Sequence, residues 1–130
     1  MSSKKDDALL SAKFIYEPVK NAPGCRFANR NRNFQGIPGI ERTSKGRFFV
    51  SFYGGMSGEE SGNFVVLLKG DSHDADFGEP YMVVEAPTPE CRVFDPCLWI
   101  DDTGRLWLFY AQSYSFFDGR IGVWAAVCDD

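Results

Sequence analysis

The chain has 130 residues, a formal net charge of −4 and a pI near 5.0, a balance that opposes the field needed to attract phosphate backbones and argues against nucleic acid as a partner. Hydrophobic residues make up 44% and aromatic residues 15%, enough for a packed core, which excludes a disordered chain. Thirteen Gly and seven Pro, scattered between short apolar runs, point to a turn-rich all-β fold.

Residues 1–33 read as a partly irregular leader, with a short strand around Lys13-Phe14-Ile15-Tyr16. The start has no apolar core of signal-peptide length, and no stretch approaches membrane-spanning length, so a cytoplasmic chain with no membrane partner is expected. Arg26, Arg30 and Arg32 form a short basic cluster that reads as a solvated or carboxylate-facing segment.

From Phe34 onward the chain contains one pattern twice. The stretch Gly36-Ile37-Pro38, followed by Gly46-Arg47 and the strand Phe48 to Tyr53, returns as Phe94-Asp95-Pro96, followed by Gly104-Arg105 and Leu106 to Ala111, at an offset of 58 residues. The same register aligns Phe64–Leu68 with Gly122–Ala126 and Asp71 with Asp129. A repeat of this length, built from short strands and turns, suggests a β-propeller, whose blades have about four strands each and cannot bury both faces alone. The first copy predicts strands at 36–43, 47–53, 63–69 and 80–85, with an acidic turn from Asp71 to Asp76. The second predicts 95–101, 105–111 and 120–127, and its fourth strand is missing. Residues 34–130 are thus expected to form the N-terminal part of a propeller domain that stops just short of two blades.

Each first hairpin carries a glycine, Gly46 or Gly104, just before the returning strand, as a turn with one left-handed residue requires. The central strands are apolar at nearly every position, which predicts sheets covered on both faces and Trp99, Trp107 and Trp124 packed between blades. Cys25, Cys91, Cys97 and Cys128 show no CxxC spacing, and His73 is the one histidine, so no metal site is expected and the thiols read as reduced and buried.

A propeller sorts its loops into two ends. One end collects Gln35 and Gly36, the loop Gly54 to Gly62, the crossing Glu90 to Asp95, and the loop Gln112 to Arg120. These loops are rich in carboxylates, arginines and aromatic residues, the chemistry of a sugar site. Glycoside hydrolysis usually needs a carboxyl proton donor opposite a nucleophile or base, and Glu59 and Glu60, in a glycine-rich loop, are the catalytic candidates. Gln35, Arg92, Asp95, Gln112, Asp118 and Arg120 are the substrate-binding candidates. Arg92 suits a bidentate clamp on a substrate carboxylate, and equally a pairing with Asp95 or backbone; Asp118 and Arg120, flanking Gly119, also suit a structural turn.

Several motifs together resemble the bacterial sialidase (neuraminidase) superfamily with BNR repeats. They are Gly36-Ile37-Pro38, Asn63-Phe64-Val65-Val66-Leu67, Arg92 to Asp101 leading into Gly104 to Tyr110, and Asp118-Gly119-Arg120-Ile121-Gly122-Val123-Trp124. The resemblance implies a six-bladed propeller acting as an exo-α-sialidase on a terminal, acidic sugar of a glycan, with no cofactor. It implies an acid in the first-blade loop, where Glu59 or Glu60 is the nearest equivalent, and a Tyr–Glu nucleophile pair beyond Asp130. Two departures stand out: Gly36 occupies the place of the arginine in the family's Arg-Ile-Pro, and the Asp-box is degraded near Gly70 to Phe77. The fragment by itself is expected to be inactive. The alternative is a noncatalytic propeller that binds carbohydrate or another protein.

Overall fold

The computed structural model describes residues 10–16, 25–72, 77–78, 80–114 and 121–128. Asp118, Arg120 and residues 73–76 of the acidic turn and degraded Asp-box, His73 among them, lie outside the described residues.

The described chain is all-β apart from one 3-10 turn at Asn29–Asn31. Its strands are β1 (Lys13–Ile15), β2 (Phe34–Arg42), β3 (Phe48–Gly55), β4 (Phe64–Gly70), β5 (Met82–Glu85), β6 (Cys91–Ile100), β7 (Leu106–Tyr114) and β8 (Ile121–Cys128). Two antiparallel sheets result. Sheet A has the order β1-β5-β4-β3-β2, and sheet B the order β6-β7-β8. The expected strands are all present to within a few residues, and the one anticipated at Lys13 becomes the outer edge of sheet A, pairing Phe14 with Val84.

The sequence repeat is also a backbone repeat. In β2 the register shifts between Gly36 and Gly39, and in β6 between Phe94 and Cys97. Each bulge holds one non-glycine residue at positive φ just before a proline: Ile37 at 52° and Asp95 at 49°. Both hairpins then close identically. Thr43 N donates to Arg47 O and Gly46 N to Thr43 O, while Asp101 N donates to Arg105 O and Gly104 N to Asp101 O. Gly46 and Gly104 take φ of 85° and 86°, the left-handed residue that a three-residue hairpin loop demands.

One boundary differs in a way that matters for the site. Residues Cys91 to Asp95, expected as a crossing loop, are the first half of β6, because the bulge at Asp95 lets a single strand run through both sides of Pro96. Likewise Gln112 to Tyr114 extend β7 rather than opening a loop.

The core lies between the sheets. Phe49, Tyr53, Val65, Leu67, Met82 and Val84 of sheet A meet Leu98, Leu106, Leu108 and Tyr110 of sheet B, all less than one-tenth exposed. Burying each such side chain contributes on the order of 1.5–3 kcal/mol. Side chains from residues 25–33 lie on the other face of sheet A, where Phe27 meets Phe64 edge-on at 4.9 Å and the Arg32 guanidinium sits 5.2 Å above Phe52.

The expectation of strands covered on both faces holds for β4 and fails for β8, which alternates between exposed and half-buried residues. Trp99 is half exposed and Trp107 only partly buried on the face of sheet B turned away from sheet A, whereas Trp124, opposite Tyr110, is partly buried on the face toward the core. Cys97, opposite Phe109 on that outer face, is an exposed thiol; Cys128, opposite Leu106 at the end of β8, is exposed on the other face, and Cys91 is buried. All four cysteines are unbridged. Among the described residues no helix is long and apolar enough to cross a membrane, and no cluster of His, Cys, Asp and Glu could hold a metal ion.

Candidate functional site

The turn between β3 and β4 forms around Asn63. Its side-chain amide donates to Gly54 O at 3.2 Å and Gly58 O at 2.9 Å, and its Oδ1 accepts from Glu60 N at 2.8 Å. Glu60 completes the turn by accepting from Met56 N, Ser57 N and Ser57 Oγ. Gly55 must be a glycine here, since a Cβ would run into the Asn63 amide. The folded turn is then stitched to the start of β6, with Gly62 N donating to Cys91 O and Val93 N to Asn63 O.

This stitching delivers Glu59 to Arg92. Arg92 Nη2 donates to Glu59 Oε2 at 2.5 Å, Tyr53 Oη donates to Glu59 Oε1, and the Arg92 guanidinium lies 3.8 Å from the Phe94 ring centre. The Arg92 side chain is 1% exposed and that of Glu59 40%, so a buried cation is covered by a carboxylate that faces solvent. Tyr53 is also buried. Removal from water, then the hydrogen bond and negative charge of Glu59, push its hydroxyl up to about 12, against the opposing pull of Arg92.

Both candidate acids are held ionised. Partial burial works against the Glu59 carboxylate, but the bonds from Tyr53 and Arg92 outweigh it and hold its pKa below the usual range. The backbone N–H of Ser57 and the other donors of the turn depress Glu60 in the same way. A group that donates a proton near neutrality needs the opposite shift.

The structure thus brings together Glu59 and Arg92, with Asp95 close enough for its charge to act on Tyr53. It separates the rest. Glu60 is bonded within its own turn. Gln35 is exposed and accepts from Arg32 Nε at 3.0 Å, beside an open groove that includes Gly36, Pro38 and Phe52. Gln112 is buried and donates to Leu10 O at 2.6 Å, tying the leader to sheet B. Asp118 and Arg120 lie outside the described residues. Tyr53 was missed by the sequence reading because it sits in an apolar strand run, and only the fold of the β3–β4 turn carries Glu59 back to its hydroxyl.

The chain matches no protein-family model and no curated protein. Among solved structures it is similar to one titled Hadza microbial sialidase Hz136, at 17% identity with a TM-score of 0.57 over 80% of this chain and 25% of that one. The fold is sialidase-like. The chain spans about a quarter of the length of the sialidase it matches.

Proposed function

We propose that the two sheets are successive blades of a six-bladed, sialidase-like propeller of the BNR-repeat kind, and that the chain contributes to a glycoside hydrolase of exo-α-sialidase type. The repeat supports the blade reading, since the bulge and the hairpin recur 58 residues apart in both sheets. The single observation that carries the sugar reading is the Glu59–Arg92–Tyr53 cluster at the ends of β3 and β6. An arginine held rigid on an aromatic ring is a carboxylate-binding group, and a sugar's acid group reaches it by taking the place that the solvent-facing Glu59 carboxylate holds here.

Glu59 enters this site as an ionised carboxylate, in the role of counter-ion or base, and Glu60 as the brace of its turn. Asp95 at the bulge and exposed Gln35 remain proposed contributors to sugar contacts, as do Asp118 and Arg120, which lie outside the described residues; buried Gln112 is given to the leader instead. No cofactor is required. The second reading, a noncatalytic carbohydrate-binding propeller, is favoured by the same ionised pair, because neither glutamate is poised to protonate a leaving group.

The test is a chromogenic α-sialoside offered to the full-length parent protein that carries this segment, with free sialic acid binding followed by NMR, in wild type and in Arg92→Lys and Glu59→Gln variants checked for folding. Turnover lost in Glu59→Gln supports the hydrolase. Binding without turnover, lost in Arg92→Lys, supports the binding module. Neither binding nor turnover sinks both readings.

A further inference from the structure

The β3–β4 turn is held from the leader as well as from β6. Arg26 donates through Nη1 to Gly62 O at 3.0 Å and through Nη2 to Glu85 Oε2 of β5, also at 3.0 Å. Its guanidinium lies 4.5 Å from the ring centre of Phe27 and 5.2 Å from that of buried Phe64. Two rings and two acceptors on separate elements thus fix one planar group, an arrangement that the fork of an arginine allows and a lysine ammonium does not.

Gly62 is where this grip counts. It joins the turn to β4 at φ 86°, and a residue without a Cβ is the point at which the turn swings most easily. Both sides of it are pinned: its N–H donates to Cys91 O of β6 at 2.8 Å, and its carbonyl accepts from Arg26. The next residue, Asn63, organises the turn through Gly54 O, Gly58 O and Glu60 N. Three positions before Gly62 stands Glu59, whose carboxylate meets Arg92 and Tyr53 because the turn is folded against β6.

We propose that Arg26 is a positioning residue of the Glu59–Arg92–Tyr53 cluster, which locks the Gly62 hinge from the leader and so sets where the Glu59 carboxylate stands over Arg92. Its consequence for a substrate rests on the sugar reading above, although the coupling itself does not. Arg26 acts without touching the cluster. Its hydrogen bonds end on Gly62 and Glu85, whereas the groups that act on Glu59 are Tyr53 of β3 and Arg92 of β6, with Asp95 of β6 acting on Tyr53.

The experiment follows the Glu59 titration in the full-length parent protein by carbon-13 NMR of labelled glutamate carboxyls, with Glu59→Gln identifying the signal. Arg26→Gln frees the hinge, and the Glu59 midpoint should rise toward the ordinary glutamate value of about 4.3. Glu85→Gln removes the ion pair and keeps the bond to Gly62, and should leave the midpoint where it is. If Arg26→Gln does not fold, Arg26→Lys, which keeps the charge and loses the fork, is read by the same criterion. An unmoved midpoint overturns the proposal. Equal and opposite shifts in Arg26→Gln and Glu85→Gln also overturn it, since they mark a through-space charge effect, as does a rise in both that tracks their loss of Tm. With a sialoside as substrate, Arg26→Gln should lower kcat several-fold without raising KM, because Glu59 is both the proposed base and the carboxylate that the sugar's acid group displaces; a raised KM with the lowered kcat marks general damage and counts against the proposal. A wild type that neither binds nor cleaves sialoside, with the Glu59 midpoint still moved by Arg26→Gln alone, upholds the clamp and sinks the sugar reading.

Discussion

Ile37 and Asp95 adopt the left-handed backbone region, at φ 52° and 49°, where a Cβ meets the following carbonyl and the cost is about 1–2 kcal/mol per residue. Asp tolerates this better than a β-branched side chain. Ile37 is exposed, so Ile37→Gly should raise stability by up to about 1 kcal/mol in urea unfolding, whereas an unchanged or lower midpoint would show that the bulge is unstrained. Ser51 carries the reverse kind of cost. Its hydroxyl is buried without a hydrogen-bond partner among the described residues, and Ser51→Ala should be neutral or stabilising by about 1 kcal/mol. Asn63→Ala should cost about 1–3 kcal/mol, since it strips partners from Gly54 O, Gly58 O and Glu60 N together. Asn63→Asp, which cannot donate to both carbonyls, should not rescue it.

Hairpins are the elements where one residue decides most. Asp101 Oδ1 accepts from Thr103 N, Thr103 Oγ1 and Arg105 N, and Oδ2 from Trp107 Nε1 at 2.8 Å. These bonds, the Thr103 hydroxyl first, hold its carboxyl well below the usual carboxylate range. The first repeat manages with Thr43, whose Oγ1 accepts from Arg47 N. Asp101, Glu59 and Glu60 all have lowered folded-state values, so their stabilisation is fully present above the unfolded carboxylate pKa and is lost as pH falls through the folded values. Tm should therefore be flat from neutrality down to about pH 5 and fall below about pH 4, the unfolded carboxylate range. Asp101→Asn should flatten the fall, and an identical acid profile in that variant would remove Asp101 from the account. The β3–β4 turn depends on one glycine in the same way, and Gly55→Ala should lower Tm by displacing the Asn63 amide.

At the scale of the molecule, the leader is part of the fold rather than an appendage. β1 pairs with β5, Leu10 O accepts from buried Gln112, and Phe27 and Arg32 lie on sheet A. Gln112→Ala should accordingly speed amide exchange at β1 without shifting the protected core of β3 and β4, and equal exchange would detach the leader from sheet B. Much of the rest was legible beforehand, because glycine, proline and short apolar runs act locally: the all-β class and the two hairpin turns follow from residues a few positions apart, and the 58-residue repeat from the recurrence of those local patterns. Legible too was the gathering of the β3–β4 turn with Arg92, since register assigns loops to ends. What the sequence by itself could not determine depends on contacts between distant residues. Only the folded turn turns Glu59 toward Tyr53 and Arg92 and commits Glu60 to the backbone, and these donors set both carboxylates to the ionised form. Only the stacking of the sheets decides which apolar strand faces are buried: β4 lies between two covered faces, while β8, hardly less apolar, stands with Val123 in solvent. Apolar patterning states that a face seeks cover, and the arrangement of the other sheet states whether it has found any.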